Sequence, residues 1–336
     1  MSNQLYRVLL LILVALPLAI QGQVNTVQEV APGVYFHEGD LEKGHCNNGW
    51  VVLEDYVLVI DANFPSGAQE ILPKIRAISD KPIRFVFDTH HHGDHAYGNQ
   101  VWVDKGAVPV AHTGVIEELK KYETGYYGTQ PGRWEQAESR PDVAASKLKP
   151  PSLLFKKDLF FDDGTQRVEL VHFGVGHTHG DGLAWLPKER ILFTGDASVN
   201  GPHNYVGDGN IGEWIETLEA VKQLNPRIVC PGHGPVGGPE IIEDQQSFFI
   251  QLRAQAQKLL DAGKRPQEME AAIESIRQNL LANERIARYV GRSLTAQVEK
   301  AYIELGGQPF APKEAALERD RHIRAHGHTP HSHGRN

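Results

Sequence analysis

The chain has 336 residues, 40% hydrophobic and 23% charged, a globular balance with enough apolar material for one large domain or two small ones. Its net charge is −8 and its basic runs go no further than pairs such as Lys156-Lys157. A nucleic-acid backbone, which is held by clustered Lys and Arg, is therefore not an expected partner.

At the N-terminus Arg7 precedes an apolar stretch from Val8 to Ile20, and Gln21-Gly22-Gln23 returns to polar sequence. Its 13 residues fall short of the roughly 20 that span a bilayer. They suit the centre of a secretory signal peptide, so residues 1–22 are expected to direct export to the periplasm or the exterior. An uncleaved anchor is the alternative, and no other segment reads as a membrane helix. The two cysteines, Cys46 and Cys230, are too few and too far apart for a disulfide framework; a single bridge and two buried thiols both fit.

Strands are expected at Gly33–His37, Gly49–Leu53 and Val57–Asp61, which are rich in β-branched and aromatic residues. A helix opens at Ser66 and keeps its apolar spacing to Ile78, with Pro73 inside it. Ile83–Phe87 is the next strand, and Thr89-His90-His91-His92-Gly93-Asp94-His95 follows it at once. That places the histidines on a strand-to-helix loop, where layered α/β proteins carry their sites. The stretch from Tyr122 to Pro151, rich in Gly, Pro, Tyr and Trp, reads as a long irregular loop.

The second half repeats this arrangement. Val168–Phe173 is a strand leading to Gly176-His177-Thr178-His179-Gly180-Asp181. Leu183–Leu186 and Ile191–Phe193 form a hairpin whose second arm delivers Thr194-Gly195-Asp196. A helix around Trp214–Leu224 precedes Arg227–Cys230, which runs into Pro231-Gly232-His233-Gly234. From Glu243 the pattern is helical, with a third helix expected over Asn283–Leu305. The organisation predicted is a layered α/β domain over 27–242, a helical C-terminal extension over 243–310, and a His-rich tail over 311–336. The tail carries His322, His326, His328, His331 and His333, a composition that captures metal or stays solvated.

His90 and His92, two apart in an extended segment, project to the same side. Asp94 and His95 follow where the chain turns into a helix, so they point elsewhere. One loop can thus serve two adjacent ions. His177 would complete three histidines on the first, His233 would complete the second, and Asp196 is placed to bridge them. Imidazole and carboxylate donors suit two Zn²⁺ ions, with Fe or Mn also compatible. Two metals a few ångströms apart share a hydroxide that is a strong nucleophile at neutral pH.

His90-x-His92-x-Asp94-His95, followed in order by Gly176-His177-Thr178, Phe193-Thr194-Gly195-Asp196 and Pro231-Gly232-His233-Gly234, resembles the signature of the metallo-β-lactamase superfamily over roughly residues 30–240. The resemblance implies a four-layer αββα sandwich, with the additional C-terminal helices outside the shared part. It also implies a dinuclear site at one edge of the two sheets. Asp196 stands where β-lactamases of the superfamily generally have Cys or Ser, and the bridging Asp gives a glyoxalase II-like ligand set. His92 stands where diiron reductases of the superfamily carry Glu, and the full set of ligands differs from that of the persulfide dioxygenases. The family also places an acid behind the first histidine loop, which makes Asp61 a candidate to orient a ligand imidazole.

The expected activity is hydrolysis of an ester, lactone, thioester or amide of a small-molecule substrate by a metal-bridging hydroxide, with Asp94 relaying a proton. β-Lactamase or phosphodiesterase activity, or a non-catalytic role in handling zinc, are the alternatives. Candidate pocket residues are His203, Asn204 and Tyr205, soon after Asp196, and Tyr127 and Trp134, with Tyr126, in the irregular loop. His91, His112, His172 and His179 are expected to be supporting or surface residues.

Overall fold

The computed structural model describes residues 24–264 and 268–310. The expected export segment and the His-rich tail lie outside the described residues. Strands β1 (Val27–Ala31), β2 (Val34–His37), β3 (Asn48–Val52) and β4 (Val57–Ile60) form an antiparallel meander. The helix α1 (Pro65–Ile78) then crosses over to β5 (Ile83–Phe87), which pairs parallel with β4. Short helices α2 (Gly93–Ala96) and α3 (Asn99–Val103) lead to β6 (Val108–His112). After α4 (Thr113–Glu118), α5 (Arg133–Ala137) and α6 (Pro141–Ala144), β7 (Leu153–Phe155) closes a seven-stranded sheet in sequence order.

The second sheet has five strands in the order β12-β11-β10-β9-β8: β8 (Asp158–Asp162), β9 (Arg167–Val171), β10 (Leu183–Leu186), β11 (Ile191–Gly195) and β12 (Ile228–Pro231). Helix α7 (Ile211–Lys222) makes the crossover between parallel β11 and β12. Helices α8 (Glu240–Asp261), α9 (Met269–Leu281) and α10 (Leu294–Glu304) follow.

Side-chain alternation along β4 shows how the layers arise. Leu58 and Ile60 face the second sheet, where they join Phe36, Phe87, Leu170, Leu186 and Phe193 in the inter-sheet core. Val57 and Val59 face outward and pack with Ile71 and Ile75 of α1 and Trp102 of α3. On the far side one apolar cluster joins Leu183, Trp185 and Leu192 of the second sheet to α7, α8, α9 and α10. The result is the αββα sandwich the resemblance implies, with the three C-terminal helices continuing its outer helical layer.

Three sequence expectations are corrected. The single helix over Asn283–Leu305 is broken: a 3-10 turn covers Ala287–Tyr289 and α10 begins only at Leu294. Gly291 lies in that break and sits so close to Pro202 that a Cβ there would come within 2.7 Å of the proline's Cβ. The loop from Tyr122 to Pro151 contains α5 and α6 rather than irregular chain throughout. The helices begin earlier than their apolar faces suggested, α7 at Ile211 and α8 at Glu240. Cys46 and Cys230 are both buried free thiols, the latter within the inter-sheet core.

Candidate metal centre

All seven predicted ligands meet at the edge of the sandwich where β5, β9, β11 and β12 end. His90 and His92 lie on the turn after β5; Asp94 and His95 lie in the first turn of α2, which starts at Gly93. His177 follows β9, Asp196 follows β11 and His233 follows β12.

Three nitrogens converge at the first position. His92 Nδ1 lies 3.0 Å from His90 Nε2 and 2.8 Å from His177 Nε2. The other nitrogen of each ring already has an acceptor. His177 Nδ1 meets the Tyr205 carbonyl at 2.8 Å, and His92 Nε2 meets Asp208 Oδ2 at 2.8 Å. His90 Nδ1 lies 3.1 Å from Thr89 Oγ1, whose own proton goes to Asp61 Oδ1 at 2.7 Å. Each ring therefore spends its one N–H outward, and three lone pairs face one another. Without a cation between them that arrangement is repulsive. Nitrogens bound tetrahedrally at 2.0–2.1 Å sit roughly 3.3 Å apart, close to the spacing found.

The second position is formed by Asp94, His95 and His233. Asp94 Oδ2 lies 3.1 Å from His233 Nε2 and 3.5 Å from His95 Nε2. Asp196 joins the two positions: Oδ2 is 3.5 Å from both His177 Nε2 and His233 Nε2, and Oδ1 is 3.3 Å from His95 Nε2. His95 Nε2 and Asp196 Oδ1 are buried without a hydrogen-bond partner. Orphaned atoms of this kind ask for an explanation, and a bound cation would supply it. The donor set, imidazole and carboxylate without thiolate, fits Zn²⁺ and also Fe or Mn.

Electrostatics divides the cluster. Burial, reinforced by neighbouring imidazoles, keeps His90 and His92 well below the usual histidine pKa and hence neutral. Burial opposes charge on His233 as well, but Asp196 and Asp94 outweigh it and bring its pKa to about 9. His95 is likewise raised, against its burial, by Cys46, Asp61, Asp94 and Asp196. Burial alone would lift the carboxyls of Asp94 and Asp196, yet His95 and His233 hold both below the ordinary range. In the metal-free protein the second position is thus a cluster of two carboxylates and protonated imidazoles.

Asp61 sits behind the centre. Its Oδ2 is 2.9 Å from His95 Nδ1, and Oδ1 accepts from the Thr89 backbone N–H at 2.9 Å. The residue holds φ at 64°, a left-handed conformation that costs energy for a residue with a Cβ. Among the pocket candidates, the His203 ring lies 5.4 Å from that of His233, and the Tyr205 ring 5.5 Å from that of His92. Asn204 is buried, with its amide directed to the Gly201 carbonyl at 3.4 Å. Trp134 packs on Tyr97, ring centroids 4.9 Å apart, beside Tyr122 and Val143. Tyr127 accepts from Arg133 Nε at 2.9 Å, and Tyr126 is exposed.

Sequence reading missed one group, the cation cradle around Asp208. Arg133 Nη2 reaches both Asp208 oxygens at 2.8 Å, and Lys121 Nζ reaches Oδ1 at 2.9 Å. Arg133 Nη1 meets His91 Nε2 at 2.8 Å, so His91 is fully buried and belongs to this cradle rather than to the surface. Tyr122 Oη donates to the His91 carbonyl, closing the cradle from the loop side. His112 and His172 stack at 3.8 Å, away from the ligands.

A family model described as the metallo-beta-lactamase superfamily matches residues 41–233, more than half of the chain, and the protein belongs to that superfamily. The chain is similar to a metallo-beta-lactamase type 2 of Bacteroides fragilis, 37% identical over 116 residues, which cover 33% of this chain and 47% of that one. It is also similar to a beta-lactamase-like protein 2 homolog of Caenorhabditis elegans, 24% identical over 53% of this chain and 52% of that one. The matched part thus spans about half the length of these two curated relatives. Among solved structures, a metallo-beta-lactamase from Pontibacter korlensis superposes with a TM-score of 0.55 at 20% identity, covering 67% of this chain and 98% of that one. This last likeness speaks for the fold.

Proposed function

We propose that the protein is a dinuclear metal-dependent hydrolase that cleaves an ester, lactone, thioester or amide bond of a small molecule in an exported compartment. The observation that carries this reading is the carboxylate of Asp196 set between the two ligand groups, within 3.5 Å of His177 and His233 and 3.3 Å of His95. Two zinc ions held there would polarise a carbonyl and make a shared water acidic enough to attack at neutral pH.

The chain's own residues supply the rest. His90, His92 and His177 present lone pairs in fixed tautomers, so the site needs no rearrangement to bind. Asp94 and His92 are the ligands that remain partly exposed, which marks the side from which substrate enters. On that side the Asp94 carboxylate would accept the proton of the attacking water and return it to the leaving group. His203 and Tyr205 flank the same opening and form the pocket wall. The apolar N-terminal segment supports export, and among the described residues no helix is long and apolar enough to cross a membrane.

The test is a substrate panel of lactones, thioesters, β-lactams, an alkyl sulfate and a phosphodiester, run on the parent chain and on His92→Ala and His233→Ala. β-Lactams belong on it because several similar proteins bear the name metallo-beta-lactamase. A carbonyl substrate turned over by the parent and not by the variants supports the reading. Turnover that survives both substitutions contradicts it.

A further inference from the structure

The segment from Val199 to Asp208, just after Asp196, grips three of the ligand histidines. Asn200 N donates to the His233 carbonyl at 2.8 Å, and the Tyr205 carbonyl accepts from His177 Nδ1 at 2.8 Å. Asp208 Oδ2 accepts from His92 Nε2, also at 2.8 Å. Wherever this segment sits, two of the three tautomer-fixing acceptors of the first position go with it.

What holds the segment from behind comes from beyond residue 233, outside the stretch the family model matches. Gln245 of α8 accepts from Val199 N at 2.8 Å, and Gln297 of α10 donates to the Asn204 carbonyl at 2.6 Å. Both glutamines are 0% exposed. Each leaves its other amide atom, Gln245 Nε2 and Gln297 Oε1, buried without a hydrogen-bond partner. Leu or Met would fill the same space but would strand Val199 N or the Asn204 carbonyl, so what the glutamines add over packing is their hold on these two buried backbone groups. Two half-satisfied amides, from two helices, end on the backbone of one ten-residue segment. Glu304 of α10 anchors the far end, accepting from Ile211 N at 3.0 Å and Gly212 N at 3.2 Å.

The geometry points to Gln297, assisted by Gln245, as a positioning residue for the metal centre. Through the Asn204 carbonyl it fixes the height of the Val199–Asp208 segment, and through that segment the N–H partners of His177 and His92. The C-terminal helices are then a working part of the site. This role rests on the metal reading given above.

The experiment uses the full chain with Gln297→Leu and, separately, Gln245→Leu, both of which replace the amide with an apolar side chain of similar size. Zinc affinity is measured by competition with a chelator, melting by thermal unfolding of the zinc-free protein, and the His177 ring by its ¹H–¹⁵N correlation. Gln297→Leu leaves the Asn204 carbonyl without its donor, so it is expected to melt somewhat below the parent temperature and to hold its tightest zinc about tenfold or more weakly per folded molecule, the usual size of an effect exerted through a ligand's partner. The His177 Nδ1–H signal should broaden as its acceptor moves. Gln245→Leu should shift both readouts in the same direction, and it decides the matter if Gln297→Leu does not fold. Unchanged zinc affinity with an unchanged His177 signal overturns the role. So does a lower melting temperature with full affinity per folded molecule, because that is packing alone. If the parent itself takes up no zinc, the metal reading fails, while the His177 signal still decides whether Gln297 positions the histidine.

Discussion

His92 and Asp208 are 116 residues apart in sequence and 2.8 Å apart in space, Nε2 to Oδ2. This contact turns the Nδ1 lone pair of His92 toward His90 and His177. Asp208→Asn is expected to weaken zinc binding about 10- to 100-fold, because an amide can offer the ring either an acceptor or a donor and no longer fixes its tautomer. Chelator competition on parent and variant reads this directly; equal affinities would show that the contact does not set the tautomer.

Arg133 is the principal counter-charge of Asp208, and it also meets His91. Arg133→Ala leaves a buried carboxylate with Lys121 as the remaining cation among the described residues. Removing one partner of a buried pair costs about 3–5 kcal/mol, and the surviving lysine places this loss at the lower end, ~3 kcal/mol. Urea unfolding of the zinc-free protein measures it. A loss under ~1 kcal/mol would mean that the cradle is solvated.

Zinc uptake should release protons. His233 has a pKa of about 9 in the metal-free protein and His95 is also raised, so both rings are protonated at neutral pH and must lose those protons to bind metal. Affinity for the second ion therefore rises with pH through the range where His233, at about 9, and His95, also raised, give up their protons. Calorimetry at pH 7 in buffers of different ionisation enthalpy should give ~2 to 3 protons released on filling both positions, one from each ring and the remainder from the shared water. A value near zero would contradict the protonated cluster.

His37, 3% exposed on β2, illustrates acid sensitivity away from the metals. Burial first, with Lys74 adding to it, lowers its pKa from 6.5 to about 4. Between those values the unfolded chain takes up the proton and the folded one does not, so stability is full above pH 6.5 and falls as pH drops toward 4. The loss attributable to this ring is on the order of 3 kcal/mol. His37→Gln should remove that share, seen as a shallower decline of zinc-free stability from pH 6.5 to 4. A parallel decline in parent and variant would assign the sensitivity elsewhere.

The ligand loop was legible because its chemistry is local: His90, His92, Asp94 and His95 lie within six residues, and strand alternation followed by a helical turn settles their directions. The layers were legible for the same reason, in the period-2 pattern of β4 and the helical spacing of α1. Asp208 was not, because nothing near Gly207-Asp208-Gly209 announces a partner 116 residues away. Arg133 was not legible because no local pattern pairs it with Asp208, 75 residues on, while its neighbour Trp134 packs on Tyr97. The break before α10 was invisible because apolar spacing continues through it, and the close approach of Gly291 to Pro202 exists only in the folded chain.

The proposed hydrolase needs two metal positions that share Asp196 and act together on substrate. The most direct measurement is the zinc content per chain of the parent against a His92→Ala, His233→Ala double variant, which leaves the histidines of the tail in both. The parent should exceed the variant by about two zinc ions, one for each ligand group. Equal zinc content in the two proteins would contradict a dinuclear centre at these ligands.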